Sequence, residues 1–349
     1  VKGRIKIGKD VFIGNGQPSF IVAEISANHC QCFDKAVSLI VKAKESGANA
    51  VKFQTYTPDT LTIDVNNRYF KIKHPRWGGQ TLYQLYKKAY TPWDWFKKLK
   101  KTADDLGIIF FSTAFDKTAV DYLEKINVPM HKIASFELVD LPLIEYAART
   151  RKPLILSTGM ATLNEIREAV DAARGGGAKD IILLKCVSAY PAKAEDMNLK
   201  TIPDMHKRFG CTIGLSDHSL GISASLAAVS LGAKVIEKHF TLSRKIKTPD
   251  SFFSSEPSEF KALTEGIRTT EKALGAVHYG LAEDENVCRV FRRSLFAVQD
   301  IKKGEVFTAD NIRSIRPAYG LKPKYFKNIL GKKAKSNIAK GMPLTHRQV

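Results

Sequence analysis

Acidic residues are in short supply. The 349-residue chain carries 35 Asp and Glu against 55 Lys and Arg, a formal charge of +20 at pH 7. Such an excess draws anions of every kind, from phosphorylated metabolites to nucleic acid and anionic lipid. The basic residues are scattered, however, with no compact block interleaved with aromatics. This points away from a nucleic-acid partner and toward a solvated surface with a few anion-binding lysines and arginines. Long apolar runs are missing as well. No stretch approaches the roughly 20 residues of a membrane span and no N-terminal run resembles a signal peptide, so a soluble protein without a membrane partner is expected. Cysteine is sparse: Cys30, Cys32, Cys186, Cys211 and Cys288 are odd in number and form no paired CxxC motifs. Neither a disulfide framework nor a zinc knuckle is implied, and a reducing cytoplasm is the expected location. The Cys30-x-Cys32 pair beside His29 is read as incidental. No GxGxxG follows the first strand-like run, which argues against a dinucleotide fold.

What is present is an eightfold alternation. Strand-like apolar runs at 20–26, 50–55, 108–113, 131–135, 153–158, 181–187, 211–216 and 234–239 are separated by amphipathic segments. This is the pattern of parallel strands joined by helical crossovers, and eight such units suggest an α/β fold closed as a (β/α)8 TIM barrel. Asp34 is placed before one helix and Gly47 after it. Thr162 and Glu165 form a capping box, and the glycines at 175–177 stop that helix. Two insertions, 56–90 and 188–198, follow strands two and six, on the face where such barrels build their sites. The aromatics Tyr69, Phe70, Trp77, Tyr83 and Tyr86 of the first insertion serve either the site or the packing of the loop itself. A barrel domain with an N-terminal hairpin at 1–275, a polar linker at 276–289 and a small β-rich domain at 290–349 complete the expected organisation.

Polar residues crowd the strand ends, where burial is costly without partners. Residues two apart share a face of a strand, which groups Glu24, Ser26 and Asn28; Lys52 and Gln54; Ser216 and His218; Glu237 and His239. His218 and His239, at matching places on neighbouring strands, suit an open divalent-metal site. Lys52 and Lys132, with the hydroxyls of Thr113, Ser135, Ser157, Thr158 and Ser216, suit a small anion carrying phosphate and carboxylate. Structural ion pairs of Lys52 with Glu24 and of Lys132 with Glu137 are the plainer reading, and a Schiff-base lysine is a third. A metal-dependent isomerase or an aldolase on the same barrel fits these residue types too. A carbohydrate- or nucleic-acid-binding role for the last domain explains only a small part of the chain.

The segments AEISANH, KFQTYTPD, FFSTAF, KIASFE, LSTGMAT, KCVSAYP, GLSDHS and EKHF, in this order over residues 20–255, resemble the sialic acid synthase family of phosphoenolpyruvate-condensing enzymes. The C-terminal RRSLFAVQDIKKGEVFTADNIRSIRPAYGLKP resembles that family's antifreeze-like (SAF, β-clip) domain. The resemblance implies phosphoenolpyruvate and an acetamido aldose as substrates, and a divalent ion, manganese or magnesium, held by His218 and His239. It implies phosphoenolpyruvate contacts from Lys52, Thr113, Lys132, Ser157, Ser216 and Tyr190, and sugar contacts from Gln54, Glu137 and Asp250. Glu24 would activate water or orient a sugar hydroxyl. Asn28, Ser135, Thr158, Lys185, Ser188, Asp217 and Glu237 complete the expected binding set. A domain-swapped homodimer is implied, in which Arg316 of one subunit contacts the N-acyl group in the other. Ser26-Ala27, Ser188 and the aromatic insertion resemble the branch acting on 2,4-diacetamido-2,4,6-trideoxy-L-altropyranose, with the N-acetylneuraminate and legionaminic acid branches as alternatives.

Overall fold

The computed structural model describes residues 3–74 and 77–349, and the chain divides into two compact units, the first ending at Gly275 and the second being Ala276–Val349. A short antiparallel hairpin, β1 (Arg4–Lys6) and β2 (Phe12–Gly14), opens the first unit. Eight parallel strands follow: β3 (Phe20–Glu24), β4 (Ala50–Thr55), β5 (Ile109–Ala114), β6 (His131–Ile133), β7 (Leu154–Ser157), β8 (Ile181–Cys186), β9 (Thr212–Asp217) and β10 (Val235–His239). They pair in chain order and β10 closes on β3, giving the expected closed barrel. The strands read as nearly continuous apolar runs because both faces are covered, one by the barrel interior and the other by helices. Phe20 to Glu24 are all buried.

The helices take the side of the chain that the apolar spacing dictates. Helix Phe33–Glu45 buries Ala36, Leu39, Ile40 and Ala43, the i, i+3, i+4, i+7 stripe of a barrel-facing surface. Its start differs from expectation. Asp34 lies inside the first turn and Cys32 occupies the cap position without a side-chain bond, so the acid acts there through the helix dipole rather than as a cap. Helix Leu163–Gly175 has the expected reciprocal Thr162–Glu165 box and ends at Gly176. β6 is shorter than its apolar run because Ser135–Glu137 turn into a 3-10 segment. No described helix is long and apolar enough to cross a membrane.

The second unit pairs β11 (Ser294–Ala297) with β12 (Ile312–Ile315) around its own core, which includes Leu295, Ile301, Phe307, Ile312 and Ile338. Ahead of it, Glu283–Phe291 forms a 3-10 helix within residues read as linker.

His29 illustrates how a buried polar side chain is accommodated. It is fully buried between Phe53 and Trp95. Its Nδ1 accepts the Gln31 N–H at 3.0 Å, which leaves Nε2–H to donate to Thr91 Oγ1 at 2.9 Å. Both nitrogens are thus used in the neutral ring, and burial pushes its pKa down to about 4. The unfolded chain takes up a proton near pH 6.5 and the folded one does not, so stability falls as pH drops through that interval. The expected loss is about 3 kcal/mol between pH ~6.5 and ~4. Denaturant unfolding of wild type and His29→Phe across this range should show a smaller decline in the variant; identical slopes would contradict the assignment.

Candidate active site

Parallel register brings the strand ends to one level. Glu24 is aligned with Lys52 and with His239, Gln54 with Thr113, Thr113 with Lys132, and Ser216 with both Cys186 and Glu237. Their inward side chains floor a cavity of about 340 Å³. Of the residues expected from sequence, Glu24, Lys52, Gln54, Thr113, Lys132, Ser135, Glu137, Ser157, Tyr190, Ser216, His218, Glu237, His239 and Asp250 line it.

Five others do not. Asp217 follows inward-facing Ser216 and so points outward; it pairs with Lys238 at 2.9 Å and accepts from Ser219 and Ser225 behind the barrel wall. Asn28 donates to the Phe240 carbonyl and to Ser254, fixing the loop after β10. Thr158 donates to the Leu184 carbonyl. Lys185 alternates away from cavity-lining Cys186 and donates to that residue's carbonyl. Ser188 is absent from the lining and has its hydroxyl against Gly159. Arg316 is an exposed residue of the second unit.

The floor is a buried charge cluster. Lys52 lies 2.6 Å from Glu24 and 3.7 Å from Glu237, and donates to Thr113 Oγ1 at 2.9 Å. Gln54 donates to Glu24 and Ser216 to Glu237. The ion pair of Lys52 with Glu24 read from sequence is therefore present. No ion pair of Lys132 is found among the described residues. Its Nζ reaches only the Ile133 carbonyl, at 3.2 Å, although the side chain is buried. Burial pushes the Lys132 ammonium below its ordinary pKa, against the pull of Glu237. Burial also pushes Glu24 up to about 7 despite Lys52. Burial acts on Glu237 too, but the ammoniums of Lys132 and Lys52 outweigh it and hold that carboxyl below its usual range. Two neighbouring carboxyls are thus driven apart, the arrangement that separates a proton carrier from a permanent anion.

Several buried polar atoms facing this region have no hydrogen-bond partner: Ser157 Oγ, Glu137 Oε2, Glu237 Oε2 and His239 Nδ1. Orphans of this kind mark where a ligand belongs. His218 Nδ1 is paired with the Val187 carbonyl at 2.8 Å, which requires Nδ1–H and leaves Nε2 with a lone pair. The His218 and His239 rings are 5.3 Å apart, and burial together with the charge of nearby groups keeps His239 neutral. Among the described residues no set of three or more His, Cys, Asp or Glu converges as metal ligands. Burial opposes charge on His218, but Cys186 and the Val187 carbonyl outweigh it and raise that imidazole above its ordinary pKa. Once deprotonated, the two rings would offer lone pairs that fit a divalent ion keeping water or substrate in its other positions.

Other lining residues escaped the sequence reading. Leu61, Ile72, Leu82, Leu85 and Ala89 of the first insertion form an apolar wall with Tyr56, Trp77 and Tyr86. Trp77 spends its indole N–H on the Pro249 carbonyl at 2.9 Å. Tyr69 is exposed and packs on Arg68, while Tyr83 bonds Asp59. Gly159 donates its N–H to Ser135 and leaves no room for a side chain beside Ser135 and Ser188. The glycine of LSTGMAT and the Leu82–Ala89 amphipathic pattern were the available signals.

Burial raises the Glu137 carboxyl to about 7, with Lys132 opposing. Because the unfolded value is near 4.5, the folded state holds the proton longer, and stability is lost as pH rises through 7. Glu137→Gln removes this loss. Relative to wild type, the variant should be about 3 kcal/mol more stable at pH ~8.5 than at pH ~4 in urea unfolding. The same difference at both pH values would contradict the assignment.

Residues 39–279 match the NeuB family model, and residues 292–349 match the SAF domain. A pseudaminic acid synthase of Helicobacter pylori is 46% identical over 94% of this chain and 97% of its own. Another, from Campylobacter jejuni, is 45% identical over 92% and 94%. The crystal structure of an N-acetylneuraminic acid synthetase from Leptospira borgpetersenii in complex with citrate aligns with a TM-score of 0.72 at 32% identity, covering 82% of this chain and 96% of that one.

Proposed function

The chain belongs to the NeuB family, and from that premise we propose that it condenses phosphoenolpyruvate with 2,4-diacetamido-2,4,6-trideoxy-L-altropyranose and water to give pseudaminic acid and phosphate. The observation that carries this reading is the division of the cavity. A floor of two ammoniums, neighbouring carboxyls and several hydroxyls lies against an apolar wall. The floor suits a phosphate and a carboxylate, whereas the wall suits the methyl groups of a deoxy, acetamido sugar better than additional hydroxyls.

In this reading the ammoniums of Lys132 and Lys52 and the hydroxyls of Ser157, Thr113 and Ser216 bind phosphoenolpyruvate, so that Lys132 gains the anion it lacks. Gln54, Glu137 and Asp250 orient the sugar. Carbon 3 of the enol attacks the aldehyde carbon, water adds at carbon 2, and phosphate leaves with cleavage of the C–O bond. Glu24, with its carboxyl near neutrality, is suited to take the proton from that water, while ionised Glu237 stabilises positive charge developing at carbon 2. His218 and His239 would hold a manganese or magnesium ion, which supplies Lewis-acid polarisation of the aldehyde when bound. The reading extends to a cytoplasmic, domain-swapped homodimer in which Arg316 of one subunit meets the N-acyl group in the other; the family resemblance is its support.

Metal-reconstituted protein should release phosphate from phosphoenolpyruvate with the altrose sugar, and not with N-acetylmannosamine or the legionaminic precursor. Preference for either of the latter would overturn the sugar assignment, and phosphate release with none of the three would overturn the reaction. His218→Ala and His239→Ala should each abolish turnover and lower bound manganese; full activity in both would remove the metal assignment.

A further inference from the structure

Ser26 is a non-glycine residue with φ +52°, two residues beyond the end of β3 and 2% exposed. An L-residue is strained in this left-handed region, and glycine would make the turn freely. Strain of this kind persists where the side chain has work that glycine cannot do. Ser26 Oγ donates a hydrogen bond to Asp250 Oδ2, and the Ala27 N–H donates to the same oxygen at 3.3 Å. Asp250 Oδ1 is left for a ligand in the cavity that Asp250 lines. The loop carrying Asp250 is tied down independently of Ser26. Thr248 donates to Asn28 Oδ1, Asn28 donates to Ser254 and Phe240, and Ser254 donates to the Asp250 carbonyl. The backbone of the loop is thus anchored through Asn28, whereas the Asp250 carboxylate is aimed by Ser26.

We propose that Ser26 is a positioning residue for the sugar: it keeps a strained backbone so that its hydroxyl fixes the rotamer of Asp250, and with it the selectivity for the aldose. The inference rests on the reading above, because it takes the ligand of Asp250 to be the sugar. A rigidly held carboxylate accepts from a sugar hydroxyl or amide N–H in one geometry, whereas a free one also turns toward Lys or water.

The test uses full-length, metal-loaded protein with Ser26→Gly and Ser26→Ala. Both variants lose the hydroxyl, but only the alanine keeps the backbone strain. The KM for the diacetamido sugar should rise roughly ten- to a hundredfold in both, the span of a hydrogen bond to a charged group, while the KM for phosphoenolpyruvate stays within about twofold. The glycine variant should melt above the alanine variant and remain folded even where alanine is not tolerated. A sugar KM unchanged in the glycine variant, or an equal rise in both KM values, overturns the proposal while leaving the reaction intact. A wild type that turns over no diacetamido sugar overturns the reaction and this proposal together.

Discussion

Everything distinctive about this molecule follows from four charged side chains buried at one end of a closed barrel. Lys52, Lys132, Glu24 and Glu237 are each almost wholly shielded from solvent, and the ion pairs among them are those of Lys52, close with Glu24 and longer with Glu237. Desolvating charges to this degree costs several kcal/mol per ion unless each is matched. Lys132 is not matched by any carboxylate at contact distance. The barrel tolerates it because the surrounding shell of apolar strands and helices is large and continuous.

Closure of the sheet is what places these groups. A parallel register without bulges repeats the in–out alternation on all eight strands, so a polar residue one position off the inner row is sent to the helices instead. Asp217 and Lys238 show the other side of this constraint, forming a satisfied ion pair behind the wall while Ser216, Glu237 and His239 face the cavity. Two electrostatic layers therefore coexist on β9 and β10. The outer one has its full complement of partners, whereas the inner one has orphaned oxygens and nitrogens.

The eight strands and the inner polar row were legible in the sequence because period-two alternation and barrel closure both leave local signatures. What was not legible depended on distant partners. Nothing near Asn28 or Asp217 in the chain says that their bonds go to the loop after β10 and to Lys238. The inward direction of the apolar insertion was equally hidden, since Leu82, Leu85 and Ala89 have the spacing of any amphipathic helix. Asp34 failed as a cap because the helix begins at Phe33, two residues earlier than that cap would start it, an offset that propensity does not resolve. Ser26 was grouped correctly with Glu24 by alternation, yet it lines the cavity through a turn, since the strand ends at Glu24.

The central claim is that the unpaired Lys132 ammonium is kept for a substrate anion at the expense of the free fold. Replacing it by methionine, which has a similar length and no charge, and measuring both thermal unfolding and calorimetric binding of phosphoenolpyruvate tests this most directly. The account predicts that Lys132→Met melts at or above the wild-type temperature and no longer binds phosphoenolpyruvate. A variant that melts lower and binds as tightly as wild type would contradict it, and would make Lys132 a structural residue.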